Sequence, residues 1–467
     1  MSLSRRHFLA RAGAMGMIGT TGLGSSLMSM PALAANTTGY KAIVCLFLFG
    51  GMDSYDAVLP YDSASYSAFA DIRPSLLNQY ASNGAARDPS TLLRLNPDNA
   101  ADLGGREFAL PPEMPGLHAA FESGNAAIMA NVGPLLEPTN RTAIEADTAR
   151  LPRQLFSHND QQSTWMASAP EGAQFGWGGR FADLALASNA NNNPLFTAMS
   201  AQGNTVWLSG EQAQQYQLSP DGPPQLLALQ YPPFFGVPQD EARALLEQHF
   251  RNQGVTATNL FERDVTNAMR RALDSNAQYA EARDQVAPIT TEFPRGFLGD
   301  QLRAIAESIS LRGVLGASRQ VYFAATGGFD THSAQATDMP GLQGRLDAAI
   351  TAFTAAMAEI GASNDVTLFT ASDFGRTLSI NGDGTDHGWG AHQFVIGGAV
   401  NGRRIYGEMP QYGLGHEQEI GNGRLIPTTS VEQFAAPLGR WFGLSESELN
   451  LALPGLSNFS GPGPGLV

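Results

Sequence analysis

Three short apolar runs, each closed by a small turn that carries an aspartate, constrain the fold of this chain more than any other feature. They are Lys41-Ala-Ile-Val-Cys-Leu-Phe-Leu-Phe49 before Asp53, Arg319-Gln-Val-Tyr-Phe-Ala-Ala325 before Asp330, and Asp365-Val-Thr-Leu-Phe-Thr-Ala371 before Asp373. Runs of this length and character read as strands buried on both faces of a parallel sheet. In open α/β sheets ligands bind outside the carboxyl ends of the strands, so acids placed there are candidates for one shared site.

A further segment, Gly384-Thr-Asp-His-Gly-Trp-Gly-Ala-His392, adds Asp386, His387 and His392. Together with His332, two residues past Asp330, these bring three of the chain's eight histidines close in sequence to the strand-end acids. Mixed carboxylates and imidazoles suit Zn, Mn or Fe better than a bare Ca or Mg cage. The expected cofactor is a divalent metal, Zn or Mn, and the expected ligands are Asp53, Asp330, His332, Asp373, Asp386, His387 and His392. Taken singly, a strand-end Asp also serves as a helix cap or turn former.

The N-terminus, Met1-Ser-Leu-Ser-Arg-Arg-His-Phe-Leu-Ala10, places paired arginines ahead of an uncharged run rich in Gly, Ala and Met that closes with Pro31-Ala-Leu-Ala34. This is the pattern of a twin-arginine export signal over residues 1–35, and it predicts a periplasmic or extracellular location. A single cysteine, Cys45, excludes an intramolecular disulfide even in an oxidising compartment. Residues 36–467 suffice for one large α/β domain with insertions or for two smaller ones. No later run is long and apolar enough to span a membrane. The net charge of −15 leaves no basic stripe for nucleic acid.

Along the chain, strand and helix patterns alternate. Helices are expected at 112–121, 175–186, 240–250, 259–285, 299–315, 342–360 and 431–442, and strands at 126–132, 195–199, 205–208 and 393–397. Residues 62–80 read as irregular or partly helical, 83–105 as a polar excursion, and 209–238 as a loop. The alternation predicts a doubly wound, mainly parallel sheet flanked by helices, with a helical insertion over about 209–300.

The ordered set Gly50-Gly-Met-Asp53, Ser157-His158, Gly176-Trp-Gly-Gly-Arg180, Gly327-Gly-Phe-Asp-Thr-His332, Ser372-Asp-Phe-Gly-Arg-Thr377 and Gly384-Thr-Asp-His-Gly388 resembles the DUF1501 family of exported proteins. The resemblance covers nearly the whole mature chain. It implies distant kinship with the alkaline phosphatase and sulfatase superfamily, hence an alkaline-phosphatase-like fold and a metal-dependent hydrolase of small phosphate or sulfate esters. By position Asp53 matches the first-strand metal ligand, Asp330 and His332 the first Asp/His group, Asp373 the next strand-end acid, and His387 or His392 the late histidine. The chain departs from the pattern at Phe374, where the superfamily has a histidine; Asp386 and His387 stand ready to replace that pair.

Under this reading the catalytic candidates are Ser157, His158 and Arg376. Ser157 is either the nucleophile or the cap of a helix beginning near Asn159, and Ser54 and Thr331 also border the strand ends. Arg376 pairs either with anionic substrate oxygens or with a site acid. Trp177 and Trp389 either line a pocket or fill the core. The alternative function is a non-catalytic exported surface or assembly protein that keeps the fold. A carbohydrate-binding module has only its aromatic residues in its favour.

Overall fold

Along the first strand the side chains alternate between two separate cores. Ala42, Val44, Leu46 and Leu48 enter one apolar cluster, while Ile43, Cys45 and Phe47 enter another. That period of two is what a strand with both faces covered produces, and each large side chain so buried contributes about 1.5–3 kcal/mol. The computed structural model describes residues 35–220, 222–223, 238–256, 259–461 and 463–467. The expected export signal lies outside the described residues, apart from Ala35, as do 221, 224–237 and 257–258 of the expected insertion.

The principal sheet contains β1 (Lys41–Leu48), β2 (Ala126–Gly133), β3 (Ala198–Ser200), β4 (Gln215–Gln217), β5 (Arg319–Thr326), β6 (Val366–Ser372), β7 (Ala391–Ile396), β8 (Ile405–Tyr406) and β9 (Thr429–Ser430). Their order is β8-β2-β7-β6-β1-β5-β3-β4, with β9 also on β2. β1 lies between β5 and β6 and is parallel to both. Only β7 runs against its neighbours β6 and β2. The sheet is therefore mixed but largely parallel.

The flanking helices include α1 (Ser63–Ile72), α2 (Pro74–Ser82), α3 (Pro115–Glu122), α4 (His158–Ala167), α5 (Trp177–Ala187), α6 (Gln239–Thr256), α7 (Leu260–Asp284), α8 (Phe297–Ser310), α9 (Gln335–Glu359) and α10 (Val431–Phe442). Phe69 of α1, Leu76 of α2, Leu117 of α3, Ile305 of α8 and Ile350 of α9 pack on one face. Trp165 of α4, Trp177 and Phe181 of α5, and Phe434 and Leu438 of α10 pack on the other. The architecture is α/β, a sheet between two helical layers. The helical part of the insertion docks through Tyr279 and Ala282 of α7. No helix among the described residues is long and apolar enough to cross a membrane.

Several local expectations are corrected. The stretch 205–208, read as a strand, is a turn, because its carbonyls have another use. Trp207 and Ser209 accept from the amides of Gly179 and Gly176 at the start of α5, meeting donors that a helix N-terminus leaves open. Of the two readings of 62–80, irregular or partly helical, the helical one holds: Asp62 caps α1 through the Ser65 amide, and Pro74 opens α2. The polar excursion 83–105 supplies Leu93–Arg94 to a small antiparallel sheet with Leu59–Pro60 and Phe108–Leu110, which buries Leu95. β4 lies inside the expected loop 209–238.

Candidate functional site

The carboxyl ends of the adjacent parallel strands β1, β5 and β6 open on one edge of the sheet. The chain leaves β5 through Gly327 and Gly328 to Asp330 and His332, and leaves β6 directly into Asp373. Because β7 is antiparallel to β6, the connection 373–390 needs no crossover and stays at this edge. It folds into the hairpin Arg376–Ile380 and Thr385–His387, in which Arg376 is paired with His387. Glycines let these turns meet. Gly50 has φ +114°, and a Cβ there would overlap the Asp330 amide; at Gly384 it would overlap the Thr331 and His332 backbone.

Asp330 is the hub of the site. Its Oδ1 lies 3.1 Å from His387 Nε2 and 3.1 Å from His332 Nε2, and its Oδ2 lies 3.4 Å from His158 Nε2. The Nε2 atoms of His332 and His387 are 2.8 Å apart. Among the described residues, His158, Asp330 and His387 form a group whose ligand atoms all fall within 4.8 Å of one another.

The opposite ring nitrogens decide the chemistry. His387 Nδ1 is 2.7 Å from the Phe156 carbonyl oxygen, His158 Nδ1 is 2.7 Å from Asp373 Oδ2, and His332 Nδ1 is 3.3 Å from Asp386 Oδ1. Carbonyl and carboxylate oxygens only accept, so Nδ1 carries the proton in each ring. Wherever a ring is neutral its Nε2 is then a lone pair, and all three Nε2 atoms face Asp330. Lone pairs crowded on a carboxylate repel unless a proton or a metal cation stands between them. Ligands around a tetrahedral zinc at about 2.0–2.1 Å are themselves roughly 3.3 Å apart, close to the distances between Asp330 and each Nε2.

Position and charge are set by neighbours. Gln162, one turn beyond His158 on α4, donates to Asp373 Oδ2 at 2.7 Å. Asp373 Oδ1 is buried with no partner among the described residues. The Asp373 bond holds His158 above the ordinary imidazole range against the opposing effect of burial. Burial pushes His387 below that range, against the pull of the Phe156 carbonyl. Burial raises Asp330, but the Arg376 guanidinium at 2.5 Å and the nearby imidazoles outweigh it and hold the carboxyl below its ordinary value. The mouth is open, with the side chains of Asp330 and His332 41% and 43% exposed.

The sequence-derived candidates separate accordingly. Asp330, His332, His387 and His158 converge, with Asp373 and Asp386 standing behind two of the imidazoles. Asp53 does not join them. It is buried, accepts from Arg73 at 2.7 and 3.2 Å and from Gln335 at 2.7 Å, and caps a short helical turn through the Tyr55 amide. His392 is also apart: its Nδ1 accepts from the Asn131 amide, and its buried Nε2 has no partner among the described residues.

Ser157 precedes α4, which begins at His158 rather than Asn159. It occupies the N-cap position, but its hydroxyl donates to Asp160 at 3.1 Å and makes no side-chain capping bond. Ser54 Oγ accepts from the His392 amide, and Thr331 Oγ1 lies against Gln335. Arg376 is the partner of a site acid. Its side chain is buried, and it donates to Asp330, to the Gly50 carbonyl and to the Thr385 hydroxyl and carbonyl. Trp177 and Trp389 fill the core, their indole N–H groups bonded to the Trp165 and Pro134 carbonyls.

Two contributors escaped the sequence reading. Phe374, noted only as a departure, is a buried wall whose ring centroid lies 4.8 Å from that of His158 and 4.6 Å from that of His387. Gln162 carried one usable signal, its four-residue spacing from His158 on a helix.

No curated protein matches the chain. Among solved structures, Ps i-CgsB in complex with k-i-k-neocarrahexaose is similar at 10% identity and a TM-score of 0.36, with 91% of this chain and 78% of that chain covered. A second structure of Ps i-CgsB gives 11% identity and a TM-score of 0.33 over the same shares. At such identity and score neither bears on chemistry. The family model described as "Protein of unknown function (DUF1501)" matches residues 40–452, and the chain belongs to that family.

Proposed function

We propose that this chain is an exported, divalent-metal-dependent hydrolase of small phosphate or sulfate esters, built on an alkaline-phosphatase-like sheet. One observation carries the reading: three imidazoles, each with Nδ1 pinned by an acceptor, turn their Nε2 atoms on one partly exposed carboxylate. A ligating histidine usually donates its other ring nitrogen to a carboxylate or carbonyl in this way. Asp330, His387 and at least one of His158 and His332 would hold the ion, and a donor set this rich in imidazole favours zinc over manganese. Bound there, a divalent metal would supply Lewis-acid charge to the oxygens of an anionic ester.

The chain's own residues prepare the site. Arg376 keeps Asp330 ionised and fixed; Asp373 and Gln162 set the His158 ring; Phe374 shields the ring faces of His158 and His387 from water. Asp53 is left out of the proposed ligand set, because freeing it would break a buried ion pair at a cost of about 3–5 kcal/mol.

One observation favours the second reading, a non-catalytic exported surface or assembly protein. The hydroxyls of Ser54, Ser157 and Thr331 are each bonded away from the cluster. Turnover separates the two. Purified mature protein supplied with zinc should hydrolyse aryl phosphate or aryl sulfate esters, and chelation or Asp330→Ala should lower kcat/KM at least a hundredfold. Equal rates in wild type and Asp330→Ala would remove the hydrolase reading.

A further inference from the structure

Arg376 has its donors engaged inside the protein, so an anionic ligand reaching the cluster needs another guanidinium. Arg424, which borders His387, is the candidate. Its Nε donates to the His387 carbonyl at 2.8 Å, and its guanidinium lies 5.0 Å from the centroid of Phe156, whose carbonyl in turn holds the His387 ring. The side chain is thus braced on the two residues that fix one wall of the cluster. It is half-buried; Nη1 makes one long contact of 3.4 Å with the Gly421 carbonyl, and Nη2 has no acceptor among the described residues.

The backbone under Arg424 is preset. In the turn 420–424 the Ile420 amide donates to the Arg424 carbonyl at 2.9 Å, and the Gly423 amide donates to the buried Glu419 carboxylate at 3.0 Å. Gly423 is anchored again through its carbonyl, which accepts from the Tyr55 hydroxyl at 2.9 Å and from the Leu378 amide. A guanidinium fixed by packing and by its own Nε loses little freedom when its remaining edge meets two oxygens in parallel. A chain of net charge −15 repels anions at long range, so attraction must be local.

From this geometry we infer that Arg424 is a specificity-determining residue that receives the tetrahedral oxyanion end of the ligand, a phosphoryl or sulfuryl group, beside the cluster. The inference rests on the proposed ester-hydrolase reading for the identity of the anion. It does not require that catalysis occur.

The test is calorimetric binding of inorganic phosphate and of sulfate to the mature chain, zinc-supplemented and metal-free, for wild type, Arg424→Ala and Arg424→Lys, with zinc content measured on each sample. Arg424→Ala should weaken anion binding roughly tenfold or more, Arg424→Lys should recover part of it, and zinc content should match wild type. Unchanged binding in Arg424→Ala, or no binding of either anion by wild type, overturns the inference. Wild type that binds an anion without retaining zinc would instead refute the metal reading, and the metal-free series would then decide the role of Arg424 alone.

Discussion

Asp53 and Asp330 are the same residue type at equivalent strand ends, and their neighbours give them opposite fates. Arg73 meets both oxygens of Asp53 in a buried pair, and Gln335 and the Tyr55 amide take up the remaining acceptor sites. Arg376 meets only Oδ1 of Asp330, which leaves the carboxylate exposed toward three imidazoles. Strand-end placement was legible in the sequence; which arginine arrives, and at how many oxygens, depends on packing between distant segments. His392 makes the same point. Burial pushes it down to about 4, against an ordinary value near 6.5. Between those values the unfolded chain binds a proton that the folded one refuses. Stability is therefore full above about pH 6.5 and falls as pH drops toward 4, by about 3 kcal/mol from this group. Denaturant unfolding at stepped pH should show that slope in wild type and lose most of it in His392→Asn, which retains an acceptor for the Asn131 amide. An equal slope in the two proteins would contradict the assignment.

At the scale of elements, the antiparallel β7 accounts for the site's composition. By returning at the same edge, the chain keeps Asp373, Arg376, Asp386 and His387 within one connection. The sequence reading located these residues within a mainly parallel sheet but gave 393–397 no direction, since an apolar run carries none. It also named His158 as a catalytic candidate without showing that the start of α4 would put its ring on Asp373. Close backbone approach is what the glycines of the hairpin provide, and it can be tested at Gly384. A methyl group there meets the Thr331 and His332 backbone, which has little room to yield. Gly384→Ala should lower stability by about 1–3 kcal/mol and weaken zinc binding at least tenfold by separating His332 from His387. Zinc titration alongside thermal unfolding checks both. Wild-type values for each would show that the approach is not tight.

The whole molecule sets a dry two-sided frame behind a wet edge. Alternation along β1 divides its side chains between two cores, so the strands that carry the acids are held on both faces, while Asp330, His332 and Asp386 remain open to solvent. That frame was the most legible part of the chain, because apolar periodicity reports burial directly. The cluster was legible as a set of residue types, but its membership was not, since His158 and Asp373 meet across 215 positions. The account depends on one cation held between the imidazoles and Asp330. Anomalous diffraction at the zinc edge, from crystals grown with one equivalent of zinc, tests this most directly. The account predicts a single strong peak about 2.0–2.2 Å from Asp330 and from the Nε2 atoms of His387 and at least one of His158 and His332. A peak bound by Asp53 or His392 instead, or no peak near Asp330, would contradict it.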